Sequence, residues 1–255
     1  MLKGVSAIVT GAASGLGRAS AERIVRNGGR VIFADLEMNS TKLEEITSSL
    51  GANASWAPVD VTNAEQVSDA LDKLEKNFGV VNTVVSCAGI GVAGRTLSRK
   101  GPHSLEEFSR VLNVNTVGSF NVLRLASERM SVTEADEDNQ RGVIINTASV
   151  AAYDGQIGQA AYAASKAAIV GMTLPIARDL SGIGIRVVTI APGLFKTPLL
   201  AGLPDKVQNE LAATVPNPKR LGNPDEFAHL VQTIIENNML NGETIRLDGA
   251  IRMSP

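Results

Sequence analysis

The sequence predicts an α/β fold built on a mostly parallel sheet, and three observations support this class. Short runs rich in β-branched residues alternate along the chain with helix-forming segments that carry an apolar stripe. Glycines cluster where the first apolar run gives way to the first helical segment. The composition does not change along the chain, so we expect one domain that spans residues 1–255.

The overall composition is that of a globular protein with a substantial core. The chain has 255 residues, of which 44% are hydrophobic and 20% are charged. A net charge of −2 argues against general affinity for nucleic acids or membrane surfaces, which would show as a basic excess. The one cysteine, Cys87, excludes an intrachain disulfide and permits a reducing compartment. We expect no membrane-spanning segment, no cleavable presequence and no metal site.

The turn after the first strand is rich in glycine. The β-rich run 5–10 leads into Gly11-Ala-Ala-Ser-Gly-Leu-Gly17, and a helix is expected at about 18–27. Glycines at such a turn let the backbone approach a pyrophosphate, which the free N–H groups of the helix then bind. Ser14 could cap this helix and also contact phosphate. The alternative is that the glycines serve only the turn, but their place at the start of the strand and helix pattern favours a dinucleotide site.

The second strand, 30–35, ends in an acid. Asp35 stands eighteen residues after Gly17. A carboxylate there can accept hydrogen bonds from both ribose hydroxyls of an adenosine and repel a 2′-phosphate. Leu36 follows, with no Arg or Lys beside it to bind that phosphate. We therefore expect NAD(H) and not NADP(H). The alternative is that Asp35 is an ordinary acid at a strand end.

The stretch 149–166 carries hydroxyl and amine groups in a suggestive arrangement. Tyr162 and Lys166 lie four residues apart in an Ala-rich segment, so their side chains share one helix face. A phenol titrates ordinarily near about pH 10, and a neighbouring cation favours the phenolate that acid–base catalysis needs. Ser149 follows the predicted strand 143–147, at the edge where α/β sheets bind ligands. A chance Tyr and Lys pair is the alternative, so the interpretation depends on the glycine-rich turn as well.

The remaining elements continue the same alternation. The other predicted strands are 55–59, 82–86, 185–190 and 243–247. The other predicted helices are 40–50, 63–78, 104–130, a segment running to about 180, and 226–236. We expect Ser104 and Glu107 to form a capping box, residues 91–103 to be a long basic connection, and 199–213 to be a mobile lid with apolar Leu199, Leu200 and Leu203.

These features resemble the short-chain dehydrogenase/reductase family over nearly the whole chain. The resemblance implies a Rossmann-type doubly wound parallel sheet in a single domain. Within the family, the segments 146–162, 171–180, 191–198 and 240–252 look like the subgroup of type 2 3-hydroxyacyl-CoA dehydrogenases. Cys87 stands where the family usually has Asn, a departure that this subgroup shares. The motifs that carry the family resemblance are Thr10-Gly-x-x-x-Gly-x-Gly17, Asp60-Val61, Asn115, Ser149, Tyr162-x-x-x-Lys166 and Pro192-Gly193.

The resemblance implies four catalytic residues. Tyr162 takes the proton of the reacting hydroxyl, and Ser149 hydrogen-bonds its oxygen. Lys166 holds the nicotinamide ribose and stabilises the phenolate, and Asn115 kinks its helix and holds a water that connects Lys166 to solvent. Asp60 holds the adenine amino group. The implied NAD-binding residues are Gly11, Ser14, Gly15, Leu16, Gly17, Asp35, Asp60, Val61, Cys87, Ala88, Gly89, Tyr162, Lys166, Pro192, Gly193, Phe195 and Thr197.

The implied substrate is a 3-hydroxyacyl-CoA, and a steroid or another secondary alcohol is the alternative. Coenzyme A carries phosphates that Arg and Lys bind well, although the basic residues of 91–103 could equally be solvated loop residues. The expected substrate residues are Ser149, Gln156, Tyr162, Arg95, Arg99, Lys100 and Leu199.

The resemblance also carries expectations about assembly and location. It implies a homotetramer and a mitochondrial location, with a cytoplasmic one as the alternative. It further raises a role of another class, as a scaffold subunit of a mitochondrial tRNA-processing complex. A complete set of catalytic residues argues against a purely structural role, because a scaffold needs none of them.

Overall fold

The computed structural model describes residues 1–201 and 204–254, without the side chains of Leu199 and Ala201. Seven strands of the described chain form one parallel sheet in the order β3-β2-β1-β4-β7-β8-β9. This is the predicted doubly wound Rossmann-type sheet. Its strands are β1 (Ser6–Thr10), β2 (Arg30–Asp35), β3 (Ala54–Pro58), β4 (Thr83–Ser86), β7 (Gly142–Thr147), β8 (Ile185–Pro192) and β9 (Thr244–Leu247).

Helices cover both faces of this sheet, as the apolar stripes predicted. The core on one face joins β1 and β2 to α1, α2 and α9, and the core on the other face joins β1 and β4 to α3, α5 and α6. The helices are α1 (Gly15–Arg26), α2 (Ser40–Leu50), α3 (Ala64–Phe78), α4 (Leu105–Leu112), α5 (Ser119–Ser131), α6 (Ala160–Ser181), α7 (Pro198–Ala201), α8 (Asp205–Ala213) and α9 (Pro224–Glu236).

The strand order reverses between β1 and β4. The chain builds β1, β2 and β3 towards one edge, and then returns to the other side of β1 with β4. A crevice opens at such a switch point, outside the carboxyl ends of the strands. Gly11–Gly17 follows β1 and residues 87–89 follow β4, so both predicted motifs lie beside this crevice.

The structure differs from the predicted elements in four places. The segment 199–213, expected as a lid, contains helix α8. Helix α1 begins at Gly15 and not at about 18, so the last two glycines of the turn already belong to the helix. The predicted helix 104–130 is interrupted by a π-helical segment, Asn113–Gly118, which separates α4 from α5. Residues 91–103, expected as a long basic connection, contain a short antiparallel hairpin of β5 (Leu97–Ser98) and β6 (Gly101–Pro102).

Helix caps follow the sequence in part. Ser104 accepts the backbone N–H of Glu107 at 3.2 Å, which is half of the predicted capping box. A complete capping box, which we did not predict, opens α9: Asn223 accepts a backbone N–H of the first turn, and the Glu226 carboxylate accepts the N–H of Asn223.

Among the described residues one helix, α6, is long and apolar enough to cross a membrane by length and composition, contrary to our expectation that no segment would be. Part of its apolar surface is buried within the fold. Ile169 and Ala177 are buried in the two cores on α6, and Lys166 on the same helix is buried as well. We therefore assign α6 to the sheet-covering layer.

Candidate active site

A cavity of about 420 Å³ lies at the carboxyl end of the sheet. It brings together residues from the β7, α6 and β8 regions that are far apart in the sequence, as a ligand site at the switch point requires. The remaining lining is mainly apolar. The predicted site residues that line it are Leu16, Ser149, Gln156, Tyr162, Pro192, Gly193, Phe195 and Thr197.

The glycine-rich turn packs too tightly for a side chain at Gly11 or at Gly17. A Cβ on Gly11 would lie 2.9 Å from the backbone N of Ala88, and a Cβ on Gly17 would collide with the carbonyl group of Gly11. Gly11 and Gly15 also have positive φ angles of 66° and 55°. The turn therefore presents bare backbone at the start of α1, which fits the pyrophosphate of a dinucleotide.

Ser14 occupies the N-cap position of α1, but its hydroxyl makes no capping hydrogen bond. The expectation that its side chain caps the helix is therefore wrong. Its extended backbone, with φ −159°, instead lets its carbonyl accept the N–H of Arg18 at 3.1 Å. The hydroxyl is left outside the helix cap, at the edge of the glycine-rich turn.

Asp35 contacts the glycine-rich turn directly. Its Oδ2 accepts the backbone N–H of Ala13 at 2.9 Å, and its Oδ1 accepts the N–H of Leu36 and the Asn39 amide, both at 2.8 Å. The carboxylate thus fixes the turn and also stands at the crevice edge, where the ribose of a dinucleotide would lie. Sequence spacing predicted its position, whereas the bond to Ala13 is a finding of the structure.

The next strand end on this side carries Asp60 and Val61. One oxygen of the Asp60 carboxylate accepts both the backbone N–H and the hydroxyl of Thr62, at 2.9 and 2.7 Å. Val61 is buried against Gly118, where a Cβ would lie 2.5 Å from its Cγ2. Both residues follow β3 at the same sheet edge as Asp35, so the structure places them near Asp35 at the crevice.

The ends of β1 and β4 are tied together by one hydroxyl. Thr10 Oγ1 accepts the backbone N–H groups of Cys87 and Ala88, both at 3.2 Å. The Cys87 thiol lies 3.3 Å from the hydroxyl oxygen of Thr147 and is enclosed, although the residue as a whole is only partly buried. Burial raises the pKa of this thiol to about 11, and Thr147 and the Lys166 charge only partly oppose the rise. Cys87 is therefore a neutral packing residue and not a nucleophile at neutral pH.

Tyr162 and Lys166 share one face of α6, as their spacing predicted. The Lys166 Nζ lies 5.7 Å from the centre of the Tyr162 ring and donates a hydrogen bond to the carbonyl oxygen of Thr147 at 2.8 Å. Lys166 is only 5% exposed. Its charge therefore acts on the neighbouring phenol through a poorly solvated environment, where electrostatic interactions are stronger than in water.

Asn115 lies in the π-helical segment and is fully buried. Its Oδ1 accepts the N–H of Ile90 at 2.8 Å, and its Nδ2 donates to the carbonyl of Ile90 and to the Ser165 hydroxyl, both at 2.9 Å. A Cβ on Gly89 would lie 3.1 Å from its Oδ1 and 3.6 Å from Lys166 Nζ. Asn115 thus joins the chain after β4 to α6, beside the lysine. The helix distortion predicted from the resemblance is the π-helical segment itself.

Ser149 and Gln156 lie in the connection from β7 to α6. Ser149 Oγ accepts the backbone N–H of Ala151 at 3.1 Å, and so the hydroxyl is oriented while its own proton stays available for donation. Gln156 lines the cavity, and its amide donates to the carbonyl of Ser254 at 2.9 Å. The structure therefore gives Gln156 a second role, in holding the C-terminal residues of the described chain.

The segment after β8 forms another part of the cavity wall. Gly193 donates its N–H to the carbonyl of Leu247 at 3.0 Å, which holds the break after Pro192 against β9. Thr197 reaches the glycine-rich turn, 3.5 Å from the position of a Cβ on Gly15. Phe195 also lines the cavity, but its buried ring packs edge-on against Phe227, with centroids 6.4 Å apart. Phe195 is thus largely a core residue.

The predicted basic substrate residues lie outside this cavity. Arg95 is exposed and lines a second cavity, of about 580 Å³, which shares Gln156 and Gln159 with the first. Arg99 and Lys100 are exposed at the tip of the β5–β6 hairpin and line neither cavity. The side chain of Leu199 lies outside the described part of the structure, and so does Leu203.

Sequence reasoning did not identify every residue of the cavity. Leu194, Leu211 and Met253 also form its lining. Thr10 and Thr147 position other site groups through hydrogen bonds. Thr10 stood in the quoted motif without a role, while nothing in the sequence around Met253 connects it with the site.

Comparisons with known proteins agree with this geometry. Residues 6–208 match the family described as short chain dehydrogenase. The 3-hydroxyacyl-CoA dehydrogenase type-2 proteins of Drosophila melanogaster and Homo sapiens are 57% and 58% identical, cover all of this chain, and are themselves covered to 100% and 97%. The crystal structure of 3-hydroxyacyl-CoA dehydrogenase type-2 from Mycobacterium avium has 41% identity and a TM-score of 0.95 over 100% of this chain and 98% of that one. The chain therefore belongs to the short-chain dehydrogenase family of oxidoreductases.

Proposed function

We propose that the protein transfers hydride between NAD(H) and the 3-hydroxy or 3-oxo group of acyl-CoA thioesters. The observation that carries the proposal is the cavity in which Ser149 and Tyr162 lie with Pro192, Gly193 and Thr197, beside a glycine-rich turn suited to pyrophosphate. The relatives named above are 3-hydroxyacyl-CoA dehydrogenases by their names, over the full length of this chain.

The choice of NAD(H) is supported by the surroundings of Asp35. The carboxylate is held at the crevice edge by Ala13, Leu36 and Asn39, so it cannot easily turn away from a 2′-phosphate. Leu36 is exposed beside it and offers no positive charge. A fixed carboxylate at this position accepts hydrogen bonds from the ribose hydroxyls of NAD(H) and repels the 2′-phosphate of NADP(H).

The residues of this chain then have separate roles in the oxidation. Bound NAD⁺ would supply the hydride acceptor. Tyr162, as the phenolate, takes the proton of the substrate alcohol, and Ser149 donates a hydrogen bond to the same oxygen. Lys166, held by the carbonyl of Thr147, keeps a positive charge near the phenol. Asn115 fixes the chain at Ile90 and Ser165 around this lysine.

The second cavity supports an acyl-CoA as the substrate. It shares the lining residues Gln156 and Gln159 with the catalytic cavity, and the exposed Arg95 lines it. A thioester with its reacting carbon beside Tyr162 could therefore extend its coenzyme A arm towards this arginine. A steroid has no phosphate that would make use of that charge.

The direct test is NADH formation at about 340 nm with 3-hydroxybutyryl-CoA and with a steroid alcohol. We expect a higher kcat/KM for the thioester. A steroid preferred over every acyl-CoA would overturn the substrate assignment while leaving the dehydrogenase chemistry in place.

Neutralising Arg95, Arg99 and Lys100 together tests the charge directly. Exposed contacts are worth up to about 1 kcal/mol each, so we expect the acyl-CoA KM to rise about ten-fold, with little change in kcat and a smaller effect at high salt. A matched control neutralises Lys3, Lys42 and Lys76, which are exposed elsewhere. Equal losses for charged and uncharged substrates would show that the segment only shapes the pocket.

We also propose a homotetramer and a mitochondrial location. Exposed apolar side chains on α4, the π-helical segment, α5 and α6 support an assembly; they are Leu105, Val117, Phe120 and Leu174. The location, its cytoplasmic alternative, and a scaffold role in tRNA processing depend on the resemblance alone. Sedimentation of the purified protein tests the assembly.

A further inference from the structure

The last described residues of the chain return to the catalytic cavity. After β9 the chain turns through Gly249 and Ala250, with φ angles of 60° and 67°. Residues 248–254, here called the C-terminal tail, then run past the cavity, and the partly buried side chain of Met253 forms part of its lining. Met253 therefore faces the same space as Ser149 and Tyr162, although no motif of the sequence includes it.

We propose that Met253 is a specificity-determining residue that limits the length of the acyl chain, and that Asp154 and Arg246 position it. This inference rests on the proposed acyl-CoA substrate. It concerns only which acyl chains fit, because Met253 carries no group that could take part in hydride or proton transfer.

The tail is anchored at one end against the cofactor side of the cavity. Ile251 is only 1% exposed, and a Cβ on Gly193 would lie 3.3 Å from its Cγ2 and 2.9 Å from the Cα of Asp248. The tail thus packs directly on the glycine that follows β8. This contact leaves the main chain at Ile251 little freedom to move away from the cavity.

A second anchor holds the tail against the segment that follows Ser149. Arg246 donates to the Asp154 carboxylate at 2.7 Å and to the carbonyl of Ile251 at 2.9 Å. The Arg246 guanidinium, and to a smaller extent the nearby backbone N–H of Met253, lower the pKa of the Asp154 carboxyl. Only 21% and 18% of the two side chains are exposed in this ion pair. The amide of Gln156 adds a bond to the carbonyl of Ser254.

Met253 is therefore held from both sides by groups that belong to the catalytic and cofactor walls. Its unbranched thioether side chain is apolar and adaptable, which suits contact with a flexible alkyl chain. The other large apolar residues of this lining include Leu200 and Leu211, which come from α7 and α8. A change of volume at Met253 should alter the space for the acyl chain, while Ser149, Tyr162 and the cofactor turn stay in place.

The test measures kcat/KM for a series of 3-hydroxyacyl-CoA substrates of increasing chain length. We expect Met253→Ala to raise the ratio of long-chain to short-chain kcat/KM about ten-fold, and Met253→Trp to lower it by a similar factor. Met239→Ala is the matched control, because Met239 is 91% exposed and lies outside the cavity. The same factor at every chain length for both Met253 variants would overturn the proposal.

Asp154 is tested separately as a positioning residue. Asp154→Asn removes the charge that Arg246 binds, and we expect kcat/KM to depend less on acyl-chain length in this variant. Asp154→Glu should restore part of that dependence. A merely structural role would lower the thermal stability without changing that dependence. Loss of all activity towards acyl-CoA in the unmodified protein would contradict the proposed function, whereas an active protein whose variants keep the same chain-length dependence would contradict this inference alone.

Discussion

The two sides of the active-site crevice are built in different ways. On the cofactor side, the fit depends on buried backbone: Gly11 and Gly17 leave no room for a side chain, and Thr10 ties β1 to β4. On the substrate side, charged side chains join segments that are distant in the sequence, as in the pair of Arg246 with Asp154, which are 92 residues apart.

Because of this difference, the two sides should tolerate substitutions to different degrees. A site made of close backbone contacts tolerates almost no substitution, because any added atom must displace main chain. Ion pairs between partly exposed side chains contribute little energy each and can be rearranged at low cost. The cofactor preference is therefore the constrained property of this protein, and the substrate range is the adjustable one.

Tyr162→Phe should have the largest effect, because it removes the group that lies between the two sides. General acid–base groups contribute about 10²–10⁴-fold, so we expect kcat to fall by at least about a hundred-fold. NADH binding, followed by fluorescence titration, should remain nearly unchanged because the ring is kept. Activity above a few per cent of that of the unmodified protein would contradict the role of Tyr162.

Asp35→Ala should have an intermediate effect and probes the constrained side. Losing hydrogen bonds to a charged group costs about 1.5–3 kcal/mol, so the ratio of kcat/KM for NAD⁺ over NADP⁺ should fall about ten- to a hundred-fold. The N–H of Ala13 also loses its acceptor, and we expect a lower melting temperature. Glu37→Ala, an exposed neighbouring acid, is the control. An unchanged ratio would show that Asp35 does not bind the ribose.

Glu226→Gln should have the smallest effect and probes an ion pair of partly exposed side chains that lies outside the catalytic cavity. The Arg220 guanidinium and the backbone N–H of Asn223 lower the pKa of the Glu226 carboxyl from 4.5 to about 2. A carboxyl group with a lowered pKa stabilises the folded state at pH values above its unperturbed pKa. This contribution is lost as the pH falls from about 4.5 towards 2. Since 50% and 45% of the two side chains are exposed, we expect less than about 1 kcal/mol.

The measurement is the melting temperature against pH. The difference between the unmodified protein and Glu226→Gln should be present at neutral pH and vanish at strongly acidic pH. Glu45→Gln, on the exposed face of α2, should show no such dependence. A difference that persists at acidic pH would mean that Glu226 acts through the helix cap and not through its charge.

The sequence by itself determined the fold class and the motifs of the cofactor side, because these motifs are recognised by spacings that are local in the chain. Glycines at fixed positions, an acid at the next strand end, and a Tyr and Lys one helical turn apart are geometrically close wherever the alternation of strands and helices forms. The π-helical segment around Asn115 and the hairpin at Arg99 were not predicted in detail, since both depend on packing against other elements.

Only the tertiary structure decided how the substrate side is assembled. Arg95 lies in a second cavity and not beside the catalytic residues, and Gln156 holds the C-terminal tail. Asp154 and Arg246 are separated by 92 residues, so no local pattern joins them. Met253 enters the site through this long-range pair. Contacts between such distant segments depend on the packing of the whole chain. They have no fixed short spacing in the sequence, so no sequence motif can indicate them.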